Sequence, residues 1–194
     1  IAHEFNNLLT PIMGYSILVL EQLPSDAEEL YDNVLEIYNS SRKAKEIIAR
    51  LSDLSRKNTS LTFQYVSPDE LVRKVLAVAS PARPPHVEVR TDLACRHLWL
   101  RGNEIQLSQM LLNLILNAYH AMEPGGGTLT VATRPEGEFL CFQVSDTGSG
   151  ISPEVLPHIF EPFFTTKERG KGTGLGLAIV RQVMEEHKGT IAID

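Results

Sequence analysis

The feature that most limits what this 194-residue chain can fold into is a heptad repeat in its first third. Leu30, Val34, Ile37, Ser41, Ala44, Ile48 and Leu51 alternate spacings of four and three, which turns one stripe of a helix toward a partner helix. The pattern predicts a helix over about 27–54, entered through a turn and N-cap at Pro24, Ser25 and Asp26. A first helix, from the start to about Leu23, carries its own stripe of Phe5, Leu8, Leu9, Ile12, Ser16, Val19 and Leu20, with a kink expected at Pro11. Joined by so short a turn, the two form an antiparallel hairpin. A hairpin cannot bury both stripes by itself, whereas two copies packed as a four-helix bundle can, so a homodimer is expected.

The other face of the first helix is polar. His3 lies roughly 200° around the helix from Phe5, Asn7 is one turn beyond His3, and Glu4 sits beside them. On these residues alone an ordinary solvated face is the simpler reading.

Composition narrows the partners. Hydrophobic residues make up 43% of the chain, enough for a core, and a net charge of −6 leaves no basic footprint for nucleic acid or an anionic membrane. No apolar run reaches eighteen residues and no secretion signal is present, so no membrane contact is expected within these residues. Cys95 and Cys141 sit in apolar, strand-like contexts without CxxC spacing and read as free buried thiols in a reducing, cytoplasmic setting. A tether outside this segment stays open. The histidines show neither HExxH nor Cys/His spacing, so any metal should arrive with a ligand.

RKNTSLTFQYVS, residues 56–67, loses the helical period, which divides the chain into 1–57, a linker over 58–67 and a second domain over 68–194. SPDE offers an N-cap and an acidic first turn for a helix over 68–79. VEVRTDL and HLWLR alternate as strands, a helix follows over 103–122, and TLTVATR with EFLCFQVSD reads as a hairpin. A long loop, a helix over 173–187 and a strand at TIAID complete an α/β two-layer sandwich with a mixed sheet. The whole is an α+β multidomain chain.

Three segments carry chemistry. QMLLNLILNA, 109–118, is apolar from 110 to 118 except at Asn113 and Asn117, and burying two amides asks for a ligand or a polar network. Amide oxygens are hard, neutral donors suited to Mg²⁺ shared with phosphate, while neighbouring backbone would satisfy them equally well. DTGSG, 146–150, ends a strand with an acceptor-only carboxylate, Asp146, able to read an exocyclic amine; by itself it also reads as a plain turn. GKGTGLGLAIV, 170–180, runs glycines at 170, 172, 174 and 176 into an apolar helix, a way of presenting backbone N–H groups to phosphates. Its spacing fits neither the dinucleotide fingerprint nor the P-loop.

In order, HEFNN, NLILNA, DTGSG, FEPFF and GTGLGL resemble the H, N, G1, F and G2 boxes of the sensor histidine kinases, over nearly the whole chain, with HEFNNLLTPIMGY most similar to the nitrogen-regulator-type and hybrid branch. The resemblance implies a dimeric phosphoacceptor hairpin joined to a Bergerat-type ATP-binding domain, with ATP and Mg²⁺ as ligands and a response-regulator receiver domain as partner. It implies His3 as the phosphorylated histidine, Glu4 as the acid taking its ring proton, and Asn7 as a residue positioning water for dephosphorylating the partner. Asn117 matches the Mg²⁺-binding asparagine, with Asn113 assisting. His120 falls where relatives place a phosphate-contacting residue, although an ordinary surface histidine reads as well there. Asp146 matches the adenine-reading carboxylate, Gly148 and Gly150 its loop, and Gly172, Thr173, Gly174, Leu175 and Gly176 the phosphate-side segment. Residues 151–171 would form a mobile lid, pinned by Phe160, Phe163 and Phe164, with Lys167 near the phosphates.

The expected reaction is phosphoryl transfer from ATP to a ring nitrogen of His3. An imidazole with an ordinary pKa of about 6.5 is largely neutral at pH 7, so its lone pair is available without strong activation. Two rivals differ in outcome. A hydrolytic ATPase of the gyrase, Hsp90 or MutL kind carries a Glu base where this chain has Asn113, and a non-catalytic ATP-sensing scaffold would have degraded boxes, which these are not.

Overall fold

The computed structural model describes residues 2–24, 27–55, 62–123, 125–167 and 172–194, without side chains for 2–7, 43 and 45–55. The chain divides into two units, Ile1–Thr59 with Lys167–Gly172, and Ser60–Thr166 with Thr173–Asp194.

The helical unit holds α1 (Ala2–Gln22) and α2 (Glu28–Ser55), packed against each other as the heptad demands. Helix α1 continues through Pro11 without interruption. The predicted cap residues Ser25 and Asp26 lie outside the described residues; Glu28 and Glu29 occupy the first turn of α2, where the helix dipole favours acids. Ser16, Val34 and Ser41 are buried between the helices, and each serine hydroxyl donates to the carbonyl one turn back, Ile12 and Ile37, at 2.8 Å.

The seam is narrower than the sequence stripes. Leu8, Ile12 and Val19 on α1 and Leu30 and Ile37 on α2 are exposed, Leu8 at 65% and Ile37 at 51%. Each helix of a single hairpin has one neighbour, which covers one side of its apolar stripe and leaves the other bare. Among the described residues no helix is long and apolar enough to cross a membrane.

The second unit is the α/β sandwich. Its sheet is mixed: β4 (Gly127–Glu136) lies between β2 (Val87–Leu93), parallel to it, and β5 (Phe139–Asp146), antiparallel. A separate antiparallel ribbon pairs β1 (Gln64–Val66) with β3 (Leu100–Gly102). Three helices, α3 (Pro68–Ala79), α4 (Glu104–Met122) and α5 (Gly176–Glu186), complete the unit. The core joins Leu71 and Val72 of α3, Leu111 and Ile115 of α4, Leu129 and Val131 of β4, and Leu175 and Val180, all fully buried. On the strands, Glu88, Arg90, Asp92 and Arg134 face solvent and pair as Glu88–Arg90 and Asp92–Arg134, at 2.9 and 3.0 Å.

Four details depart from the sequence reading. Gln64–Val66, placed in the linker, forms β1 because β3 offers it a ladder. HLWLR keeps only Leu100 and Arg101 as strand, since Leu98 N–H closes a turn onto the Cys95 carbonyl at 3.0 Å. TIAID is not a strand: its alternation is present, but β5 pairs with β4 alone. Helix α5 starts at Gly176 rather than Thr173, because Gly174 takes φ +65° just before it.

Asp69, read from the sequence as part of an acidic first turn, is buried. Ser67 stands at the N-cap of α3 without a side-chain capping bond, and Asp69 is 1% exposed. Its Oδ1 accepts from Thr133 Oγ1 at 2.6 Å and from Cys95 N–H at 3.2 Å, tying α3 to β4 and to the segment after β2. Cys95 and Cys141 are both free thiols, but only Cys95 is buried as expected; Cys141, on β5, is half-buried.

Candidate nucleotide site

Helix α4 is the element on which the site is assembled. Asn103 caps it, its side chain accepting from Gln106 N–H at 3.0 Å. Leu107, Leu111, Ile115, Ala118 and Met122 follow at spacings of three and four and turn one stripe into the core. That stripe rotates Asn113 and Asn117 to its flank, half-buried and one turn apart.

The glycine-rich segment is brought to these amides by the fold. A Cβ placed on Gly176, the first residue of α5, would lie 3.7 Å from Asn117 Nδ2 and 3.8 Å from Asn113 Oδ1. The amides thus face a helix N-terminus, where backbone N–H groups point outward. Asn113 Nδ2 is buried and has no hydrogen-bond partner among the described residues.

The DTGSG loop rests on the far end of the same helix. Asp146 Oδ1 accepts from Gly148 N–H at 2.9 Å, and Ser149 N–H donates to the Ala121 carbonyl at 3.2 Å. Gly148 is packed so closely that a Cβ there would come 2.6 Å from the Ala121 carbonyl oxygen, a main-chain atom that cannot step aside. Gly150 adopts φ +69°. At about 1.5 Å of rise per residue, Asn117 and Ala121 are roughly 6 Å apart along the axis, so the amides and the Asp146 loop share one edge of α4.

The FEPFF segment is fastened to the glycines by main chain. Phe163 N–H donates to the Gly174 carbonyl at 2.9 Å, and Phe163 itself takes φ +70°. Phe163 is 56% exposed, so its tie to Gly174 runs through main chain and not through side-chain packing. Phe164 packs its ring 5.6 Å from His158, which pairs with Glu161 at 2.9 Å.

His120 is exposed and its Nδ1 meets the carbonyl of Leu116 on its own helix, a local bond that favours neither reading of this residue. His3, Glu4 and Asn7 lie on α1, with their side chains outside the described residues. Lys167 and Gly172 are grouped with the helical unit; residues 168–171 of the expected lid lie outside the described residues. Thr173, Gly174 and Leu175 belong to the α/β unit and lead into α5. Sequence reasoning missed Thr147, whose hydroxyl accepts from Thr128 N–H at 3.0 Å and anchors the Asp146 loop to β4.

Comparison with known proteins identifies the two domains. Residues 1–60 match the His Kinase A (phospho-acceptor) domain, and residues 102–194 match the histidine kinase-, DNA gyrase B- and HSP90-like ATPase. The chain is 34% identical, over its whole length, to the sensor kinase CckA of Brucella abortus, of which it covers 22%. Among solved structures it is similar to full-length ShkA in complex with AMPPNP, with a TM-score of 0.74 and 29% identity over 95% of this chain and 39% of that one. It is also similar to the histidine kinase ThkA in complex with the response regulator TrrA, with a TM-score of 0.68 and 25% identity over 97% of this chain and 53% of that one. The chain spans well under half the length of the curated relatives it matches. With the phosphoacceptor domain in its first 60 residues and the ATPase domain from residue 102 onward, the chain belongs to the sensor histidine kinases.

Proposed function

We propose that this chain is the catalytic core of a sensor histidine kinase, which phosphorylates His3 from ATP and passes the phosphoryl group to an aspartate of a response-regulator receiver domain. The observation that carries this reading is the buried Asn113 Nδ2, without a partner among the described residues, beside the N-terminus of α5. A donor without an acceptor next to outward-facing N–H groups suits phosphate oxygens. The amide oxygens suit a hard cation, so Asn117, with Asn113 assisting, would hold Mg²⁺. Bound there, Mg²⁺ supplies neutralisation of phosphate charge.

Asp146 reads the adenine amine. Its Oδ1 is engaged by Gly148 N–H, which orients the carboxylate and presents Oδ2 to a ligand. Gly148 keeps that loop low against α4, Gly150 supplies its positive φ, and Gly174, Leu175 and Gly176 deliver the helix N-terminus, with Gly172, Thr173, Lys167 and His120 as further phosphate-side candidates.

In the transfer, a lone pair on a His3 ring nitrogen forms the N–P bond while the bond from the γ-phosphorus to the β,γ-bridging oxygen breaks, releasing ADP. Glu4 takes the proton from the other ring nitrogen, a contribution of roughly 10²- to 10⁴-fold for general bases. Asn7 positions water for the reverse task of dephosphorylating the receiver. Residues 1–57 carry the acceptor, the stretch before β1 links them to the ATP domain, and the bare stripe of Leu8, Ile12, Leu30 and Ile37 is covered by a second copy.

The test is incubation of the chain with γ-labelled ATP and Mg²⁺. Acid-labile, alkali-stable label is expected, lost in both His3→Gln and Asn117→Ala, with nucleotide binding weakened only in the second. Free phosphate without label would make the chain a hydrolytic ATPase, and neither product would make it a scaffold.

A further inference from the structure

We propose that His187 is a positioning residue for the nucleotide site, acting through a clamp between the start of α4 and the end of α5; the proposal rests on the ATP-site reading above. His187 caps α5 and uses both ring nitrogens on main chain. Nδ1–H donates to the Val183 carbonyl at 2.7 Å, and Nε2 accepts from Asn103 N–H at 3.0 Å. Only the neutral ring protonated on Nδ1 satisfies both bonds. Asn103 is the cap of α4, so the imidazole joins the last turn of one helix to the first turn of the other.

The neighbouring turn repeats the link. The Glu186 carboxylate is held by Gln106 Nε2 through one oxygen and by Gln182 Nε2, at 2.9 Å, through the other. Two close approaches fix the ring itself. Phe63 lies 5.0 Å away, centroid to centroid, and a Cβ on Gly102 would come 3.0 Å from His187 Cδ2.

The clamp governs geometry at a distance. Helix α5 meets Asn103 and Gln106 with its C-terminal end and Asn113 and Asn117 with its first residue, so the two helices run antiparallel. From Glu186 back to Gly176 is roughly 15 Å of helix, and a slip of one residue at the clamp displaces Gly176 by about 1.5 Å. A misplacement of that size is enough to cost a bound phosphate its hydrogen bonds. His187, Glu186 and Gln106 touch no part of the nucleotide site, yet they hold the register that sets its two halves facing each other.

The experiment measures binding of a fluorescent trinitrophenyl-ATP with Mg²⁺ to the whole chain. His187→Phe, which keeps the ring and removes both nitrogens, is expected to weaken binding about tenfold. His187→Gln, whose amide oxygen replaces the Nε2 acceptor, should recover affinity to within about threefold of the parent. Val72→Ala, at a fully buried position on α3, serves as the core control and should leave affinity unchanged. If His187→Phe does not fold, Gln106→Leu replaces it, with weakening in the same direction. Long-range ¹H–¹⁵N spectra of His187 should show the Nδ1–H tautomer. Parent-like binding by a folded His187→Phe, equal loss in Val72→Ala, no rescue by glutamine, or the Nε2–H tautomer would overturn the proposal. Absence of binding by the parent chain would instead defeat the ATP-site reading, and the tautomer would still decide the clamp.

Discussion

Replacing Gly174 with alanine tests the join between the glycine-rich segment and the loop that follows β5. Gly174 has φ +65°, and an L-residue in that region costs about 1–2 kcal/mol. The new methyl would overlap the main-chain carbonyl of Phe163, which has no flexible end to swing away. Relief requires separating the two segments, with loss of the 2.9 Å bond from Phe163 N–H to the Gly174 carbonyl, about 1 kcal/mol. Together these disfavour the native arrangement by about 2–3 kcal/mol. If nucleotide requires that arrangement, its apparent affinity falls by roughly 30- to 150-fold. Gly137→Ala is the control: φ is +63° there but nothing lies within 4 Å, so it carries the backbone strain without the overlap. Titration with the fluorescent ATP analogue and thermal unfolding should show Gly174→Ala deficient in binding and Gly137→Ala deficient only in melting temperature. Affinity of Gly174→Ala within twofold of the parent would refute the reasoning.

Other perturbations address the framework. Ile115→Ala removes a fully buried side chain between the two asparagines and should destabilise the α/β unit by about 2–5 kcal/mol in urea unfolding; a loss below about 1 kcal/mol would mean that α4 does not bury that stripe. Thr133→Val keeps the shape but withdraws the 2.6 Å donor from the buried Asp69, and a loss of about 1.5–3 kcal/mol is expected in the same assay. Burial, with Glu136 adding to it, pushes the Cys141 thiol up from its ordinary range. Its thiolate fraction at pH 8 is therefore below that of a free cysteine, so iodoacetamide should react slowly and its rate should still climb beyond pH 9, read by mass spectrometry. Cys95, with no exposure, should be alkylated only after unfolding.

Legibility of the fold tracked the range of the interactions involved. The boundaries of α3 match their sequence signals because a proline at the first helical position is a local device. The same holds for the start of α4, set by the Asn103 cap. Strand β1 and the TIAID segment show the opposite: neither the polar run before residue 64 nor the alternation after residue 189 says whether a neighbouring strand offers free N–H and C=O groups. Asp69 belongs with them, since an acid in a first turn ordinarily meets water, and only the approach of Thr133 and Cys95 turns it inward.

For the site, the sequence by itself determined the chemical parts. Two asparagines one turn apart on an otherwise apolar helix, a carboxylate closing a strand, glycines leading into a helix and the order of the five boxes are properties of spacing, legible through the helical and strand periods. Tertiary structure alone decided how the parts meet: Gly176 against Asn113 and Asn117, the Asp146 loop on Ala121, Phe163 bonded to Gly174, and His187 bridging to Asn103. Those contacts join residues 11 to 84 positions apart, whose approach is dictated by the burial of Leu111, Ile115, Leu175 and Val180 in one shared core and by no pattern within either segment.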